Sequence, residues 1–309
     1  MKPNLEVRIG ALRMKNPVTV ASGTFGYGQE YARYFDIAAL GAVTIKSITL
    51  KPRAGNAPPR LVETPAGILN AIGLQNVGLD AYLAEKAPFL RKHGATIIAN
   101  IYGSQPDEYC ELARRLEEAH AADAIEANLS CPNVHDAATA RGPALVAQIP
   151  ERVAEYSRAL RAATKLPLLV KLTPNVADIR EPALAAQEAG ADGVSLINTL
   201  MGMAIDPETR RPRLANVIGG LSGPAIRPVA LKMVWDASRV LQIPVIGMGG
   251  ICTAPDAIQF LLAGANAVAV GSMSFRQPDA ALQIVRGLAD YLEHHQIPDV
   301  NDLVGAIAT

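Results

Sequence analysis

The sequence sets one thiol between two carboxamides, in the stretch Asn128-Leu129-Ser130-Cys131-Pro132-Asn133-Val134. The apolar run at 124–127 reads as a buried strand, and Pro132 forbids its continuation as a central strand. A cysteine where a strand breaks into a loop can be a base, a nucleophile, a ligand or filler. As a thiolate at neutral pH it needs positive charge or donors nearby, which bring its pKa down from about 8.5. His135 could complete a cysteine–histidine nucleophile pair. That pairing would leave the remaining polar residues without a role.

Those residues are of three kinds. Lys46 and Lys171 each end an apolar run. One such lysine can snorkel out of a strand end. Two at equivalent positions favour an anionic partner, since an unpaired buried ammonium is costly; a Schiff-base lysine is a further reading. Asn70, Asn100, Asn128, Asn133 and Asn198 could each cap a turn. As a set they suit a planar ligand with alternating C=O and N–H groups, such as a pyrimidine or a flavin ring. Gly249-Gly250 and Gly271-Ser272 could be plain tight turns. After late strands of a barrel, though, such turns are the usual phosphate site, where backbone N–H groups approach the anion. With the glycine-rich turn at 219–223 they suggest a cofactor carrying one phosphate.

The elements that must position these groups follow a rhythm. Apolar runs at 18–22, 42–47, 96–100, 124–128, 166–172, 193–199, 244–250 and 267–272 read as eight buried strands. Helical spacing predicts helices over 29–40, 79–93, 107–119, 152–164, 179–188, 228–241, 255–262 and 280–294. Strands alternating with helices argue for an α/β fold with a parallel sheet, and eight is the number that closes a (β/α)8 TIM barrel. A doubly wound open sheet is the alternative, but no early GxGxxG turn supports it. The alternation at 5–14 predicts a short N-terminal β-hairpin. Connections at 49–77 and 200–225 are too long for ordinary turns, and with the loop from Cys131 to Gly142 they are candidate lids over the C-terminal face. No linker divides the chain, so a single domain over 1–309 is expected.

Composition narrows the class. Of 309 residues, 50% are hydrophobic and 19% charged, which suffices for one large core. Lys+Arg and Asp+Glu both number 29, so no net field favours nucleic acid or an anionic membrane. The three cysteines, Cys110, Cys131 and Cys252, are far apart and form no CxxC, so no disulfide framework, zinc site or iron–sulfur site is encoded. There is no apolar run of about 18 residues and no signal-peptide core. A cytoplasmic protein is expected.

The same residues resemble a known family. ASGTFGYG (21–28), KSITLKPRAGN (46–56), NAIGLQN (70–76), NLSCPNV (128–134), VKLTPNV (170–176), INTLMGM (197–203), GGLSGPAI (219–226), IPVIGMGGI (243–251) and AVAVGS (267–272) are similar to class 1 dihydroorotate dehydrogenases, flavin enzymes of pyrimidine synthesis. NAIGLQN and INTLMG look most like subclass 1B, whose catalytic subunit passes electrons to NAD+ through a partner carrying FAD and a 2Fe–2S cluster. The fumarate-linked subclass 1A is the nearest alternative, and a dihydropyrimidine dehydrogenase-type flavin enzyme the next.

The resemblance implies one FMN per chain and a homodimer core within a heterotetramer. It implies that Cys131 takes a proton from C5 of dihydroorotate while hydride passes from C6 to N5 of FMN. Ser22, Lys46, Ser47, Asn100, Asn128, Lys171, Ile197, Gly223, Gly249, Gly250, Gly271 and Ser272 are the implied cofactor contacts. Lys46, Asn70, Ala71, Ile72, Gly73, Leu74, Asn128, Asn133, Asn198 and Thr199 are the implied substrate contacts, and no metal is bound by this chain. The segment His135 to Gly142 departs from the family's glycine-rich continuation, and Gly271-Ser272 replaces its usual Gly-Thr.

Replacing the implied base should separate binding from chemistry. Cys131→Ala is expected to bind orotate but to reduce flavin at least about a hundredfold more slowly, measured by anaerobic stopped-flow absorbance. Flavin reduction at the unmodified rate would remove Cys131 from the mechanism.

Overall fold

Eight short strands alternate with helices, as the rhythm predicts: β1 (Val18–Val20), β2 (Val43–Thr44), β3 (Ile97–Ile101), β4 (Ala124–Asn128), β5 (Leu168–Lys171), β6 (Gly193–Leu196), β7 (Val245–Met248) and β8 (Ala267–Val270). The computed structural model describes residues 2–130 and 146–308. The registered strand pairs are parallel, with Asn100 beside Glu126, Asn128 beside Lys171, and Val268 beside Val18. The sheet closes between β1 and β2, where the Gly41 N–H donates to the Val18 carbonyl at 2.9 Å and the hydroxyls of Thr19 and Thr44 lie 3.0 Å apart. The result is a (β/α)8 barrel.

Each long helix exists because one face can be buried against this barrel. In Pro106–Glu118, Tyr109, Leu112, Ala113 and Leu116 are buried, the i, i+3, i+4, i+7 stripe of a core-facing helix. Pro106 opens it where a missing N–H does no harm, and Asp107 and Glu108 complement the N-terminal dipole. Each fully buried leucine there contributes about 1.5–3 kcal/mol. The helices Pro150–Ala163, Arg180–Glu188, Arg227–Ser238, Ala254–Leu262 and Ala280–His294 occupy the expected gaps. The N-terminal hairpin Val7–Ile9 and Leu12–Met14 closes the bottom, burying Val7, Ile9, Leu12 and Met14.

Three expectations differ in detail. The predicted helix at 29–40 is two 3-10 turns, Tyr31–Arg33 and Ile37–Ala39. Asp36 accepts a hydrogen bond from the Ala38 N–H and restarts the chain there, while Tyr31 stacks on Phe25 and bonds the Thr24 carbonyl instead of extending a helix. The helix at 79–92 contains a π turn, Tyr82–Lys86, just before Pro88 removes a backbone donor.

The two long connections are also not structureless. Leu61–Thr64, Gly67–Asn70, Leu200–Met203 and Ile218–Ser222 form one antiparallel sheet across the barrel mouth. Val62, Leu69, Ala71 and Leu214 are its own small core. The sheet can sit low because Gly220 has no side chain: a Cβ there would meet Thr199 Oγ1 at 2.0 Å.

Barrel closure generates a stability prediction. A Cβ on Gly41 would lie 1.9 Å from the Asn16 carbonyl oxygen, a backbone atom with no room to yield. Gly41→Ala should therefore cost about 1–3 kcal/mol, read as a lower denaturant midpoint. An unchanged midpoint would mean that β1 and β2 separate freely.

Candidate active site

The strands end in a cavity of about 400 Å³ between the barrel mouth and the covering sheet. Its floor comes from successive strand ends: Ser22 after β1, Lys46 and Ser47 after β2, Asn128 on β4, Lys171 on β5, and Ile197, Asn198 and Thr199 after β6. Gly249 and Gly250 follow β7, and Gly271 and Ser272 follow β8. Ile68, Asn70, Ile72, Gly73, Leu74, Ser222 and Gly223 enter from above. Among the described lining residues there are two lysines and no carboxylate, so the cavity suits an anion.

The polar floor is held by a buried network. Lys171 and Glu126, both almost wholly buried, lie 3.9 Å apart as an ion pair. Asn100 Nδ2 donates to Glu126 Oε2, and Asn100 Oδ1 accepts from Ser47 Oγ at 2.5 Å. Asn128 Nδ2 donates to Ser47 Oγ at 3.2 Å, and Asn128 Oδ1 accepts from the Ser130 hydroxyl at 3.1 Å. Asn198 Nδ2 then donates to Ser130 Oγ at 2.9 Å. Tyr109 fixes the same strand end by donating to the Asn128 carbonyl at 2.8 Å. Buried polar groups need such partners, and here the partners also fix which way each carboxamide faces.

The opposite side of the cavity is bare backbone. Gly250 has φ of 74°, a conformation that favours glycine, and a Cβ on it would lie 2.7 Å from the Gly223 carbonyl. Asp256 locks the turn beyond it, accepting from the N–H groups of Cys252 and Thr253 at 3.0 Å and pairing with Arg227. Thr253 caps the helix Ala254–Leu262 in a reciprocal capping box. Backbone N–H groups between Gly223, Gly250 and Gly271 could therefore approach a phosphate closely, which fits the expected cofactor.

The structure brings most of the expected residues to this one cavity. Asn100 and Ala71 do not line it; both are fully buried, Asn100 behind Ser47 and Ala71 in the covering sheet's core. Cys131, Asn133 and the segment His135 to Gly142 lie outside the described residues. Gly23, Thr24, Gln75 and Met248 also line the cavity; each lies within a stretch that carries the family resemblance, but none was singled out as a contact. Glu126 was overlooked for a different reason. Reading 124–127 as an apolar run hid a carboxylate two residues before Asn128, on the same face of the strand. Cys110 and Cys252 are free thiols, and burial pushes both pKa values up, so neither is activated. No group of three or more His, Cys, Asp or Glu that could hold a metal occurs among the described residues.

Comparison with known proteins gives a consistent result. A family model described as dihydroorotate dehydrogenase matches residues 4–292. A protein of Trichlorobacter lovleyi is 54% identical over 307 residues, covering 99% of each chain, and is named dihydroorotate dehydrogenase B (NAD(+)), catalytic subunit. Proteins of the same name from Pelobacter propionicus and Desulforamulus reducens are 54% and 53% identical, again over 99% of each chain. Among solved structures, that of DHODH in complex with ferulenol from Eimeria tenella superposes with a TM-score of 0.78 at 26% identity, covering 98% of this chain and 88% of that one.

The glycine cradle is testable by itself. Gly250→Val adds a side chain to a turn that has no space for one, so the purified variant should hold less than about a tenth of the wild-type flavin per chain. Full flavin occupancy would place the phosphate elsewhere.

Proposed function

Because the chain belongs to the dihydroorotate dehydrogenase family, we propose that it oxidises dihydroorotate to orotate in pyrimidine biosynthesis, as the catalytic subunit of an NAD+-linked enzyme. The observation that carries this reading is the cavity. It joins two lysines, carboxamides from the barrel and the covering sheet, and a glycine cradle, with no carboxylate among its described lining. A ring bearing a carboxylate and imide groups needs that set.

FMN is the cofactor in this reading. Backbone N–H groups of Gly223, Gly249, Gly250, Gly271 and Ser272 would hold its phosphate, and Ser22, Lys46, Ser47, Lys171 and Ile197 would bound its ring. When bound, the flavin supplies a two-electron hydride acceptor. The chain does the rest. Lys46, Asn70, Asn128, Asn133, Asn198 and Thr199 orient the pyrimidine, and residues 71–74 border it. Cys131 takes the proton from C5, hydride leaves C6, and the C5=C6 double bond forms. Lys171 stabilises the negative charge that the site gains. The sheet across the mouth limits access of water.

Ser130 gives the base a fixed root. Its carbonyl and hydroxyl both accept from Asn198 Nδ2, at 3.2 and 2.9 Å, immediately before Cys131. Electrons must then leave through a partner. A second subunit bearing FAD and a 2Fe–2S cluster fits a catalytic chain with three dispersed cysteines, two of them free and unactivated. A homodimer of catalytic chains within a heterotetramer completes the proposed assembly. No helix among the described residues is long and apolar enough to cross a membrane.

Anaerobic addition of dihydroorotate to the FMN-loaded chain should bleach the flavin. NAD+ should restore its colour only when the electron-transfer subunit is present. Flavin that stays oxidised would overturn the activity, and rapid re-oxidation of the isolated chain by fumarate would overturn the NAD+ assignment.

A further inference from the structure

The cavity floor rests on a charge that the proposed chemistry does not use. Glu126 sits in the middle of β4 with 1% of its surface exposed. Beside Lys171 it is a carboxylate, and a carboxylate only accepts hydrogen bonds. Asn100 must therefore turn its amide nitrogen toward Glu126, which leaves Asn100 Oδ1 to accept from the Ser47 hydroxyl. The Ser47 hydrogen is then committed, so Ser47 Oγ accepts from Asn128 Nδ2. Asn128 Oδ1 faces Ser130, whose hydroxyl donates to it, and Ser130 Oγ in turn accepts from Asn198 Nδ2. Every donor in this chain points one way, from β6 through the root of Cys131 to Glu126. The carboxylate at its end cannot reverse. At the other end backbone groups also hold Asn128, whose Oδ1 accepts from the Ser130 N–H at 3.3 Å, and Asn198, whose Nδ2 donates to the Ser130 carbonyl at 3.2 Å and whose Oδ1 accepts from the Thr199 N–H at 2.8 Å.

We propose that Glu126 is a positioning residue for the site, acting in two ways. It fixes the facing of Asn100 and the direction of the Ser47 hydroxyl, on which the Asn128 amide rests beside the substrate. It also offsets part of the Lys171 charge and so sets how readily the site accepts the negative charge of the reduced cofactor. The inference deepens the reading given under Proposed function and rests on it.

The two effects separate in two variants. Glu126→Gln keeps the shape but removes the charge and adds an amide donor that lets Asn100 turn over. The midpoint potential of bound FMN should move to more positive values, because Lys171 is no longer offset. The orotate dissociation constant should rise about tenfold, as expected when one buried hydrogen-bond chain loses its direction. Glu126→Asp keeps the charge and withdraws it by one methylene. Its potential should move much less than that of the Gln variant, while orotate binding still weakens.

Retention of FMN, counted by absorbance per chain, checks that the site is built. Wild-type potential and wild-type orotate affinity in Glu126→Gln would overturn the proposal. If that variant is not recovered folded, wild-type orotate affinity in Glu126→Asp overturns it alone. A wild-type protein that fails to bind orotate would instead remove the functional reading, and the potential shift would still decide the role of Glu126.

Discussion

A carboxylate and an ammonium face each other inside the barrel, at Glu126 and Lys171, and the site is arranged around that pair. Burying either charge alone would cost several kcal/mol. Together they tolerate burial, but only because Asn100 also satisfies the carboxylate. That requirement propagates outward. Asn100 and the Ser47 hydroxyl take the orientation it leaves them, and Asn128, Ser130 and Asn198 continue the chain with further support from the backbone of Ser130 and Thr199. The inner part of the polar floor is thus a consequence of where one negative charge is buried.

The backbone supplies the complementary half. The turn after β7 carries glycine where a side chain would collide with neighbouring backbone, as at Gly250 against Gly223. Asp256 and Arg227 brace the turn after β7 from behind. Over both halves lies the antiparallel sheet built from the two long connections, with Asn70 bonded to the Gly220 carbonyl at 3.2 Å. A glycine-lined turn, a charged polar floor and a β-sheet roof enclose one volume. Dihydroorotate oxidation needs those three parts: anchored cofactor, oriented ring and restricted water.

Much of this was legible in the sequence, for identifiable reasons. Parallel barrel strands are buried on both faces, so they read as apolar runs, and polar residues at their ends stand out. Lys46, Lys171, Asn128, Asn198 and the glycine pairs were visible in that way. The covering sheet was not, because LVET and GILN are four residues long and GILN pairs with a strand about 150 positions away, as Asn70 does with Gly220. A local signal existed in the alternation of 61–64 and in the Pro-Ala-Gly turn that follows. Glu126 was missed because a run of apolar residues masks a single charge within it. The helix expected over 29–40 failed because Asp36 and Tyr31 offer the backbone local alternatives that periodicity ignores.

The most direct measurement is a crystal structure of the FMN-loaded chain with orotate bound. The account predicts the phosphate on the backbone of Gly223, Gly249, Gly250 and Gly271. It predicts orotate between the cofactor and the carboxamides of Asn70, Asn128 and Asn198, with Asn100 turned so that its amide nitrogen meets Glu126. Orotate or phosphate bound outside this cavity, or an Asn100 oxygen facing Glu126, would contradict it.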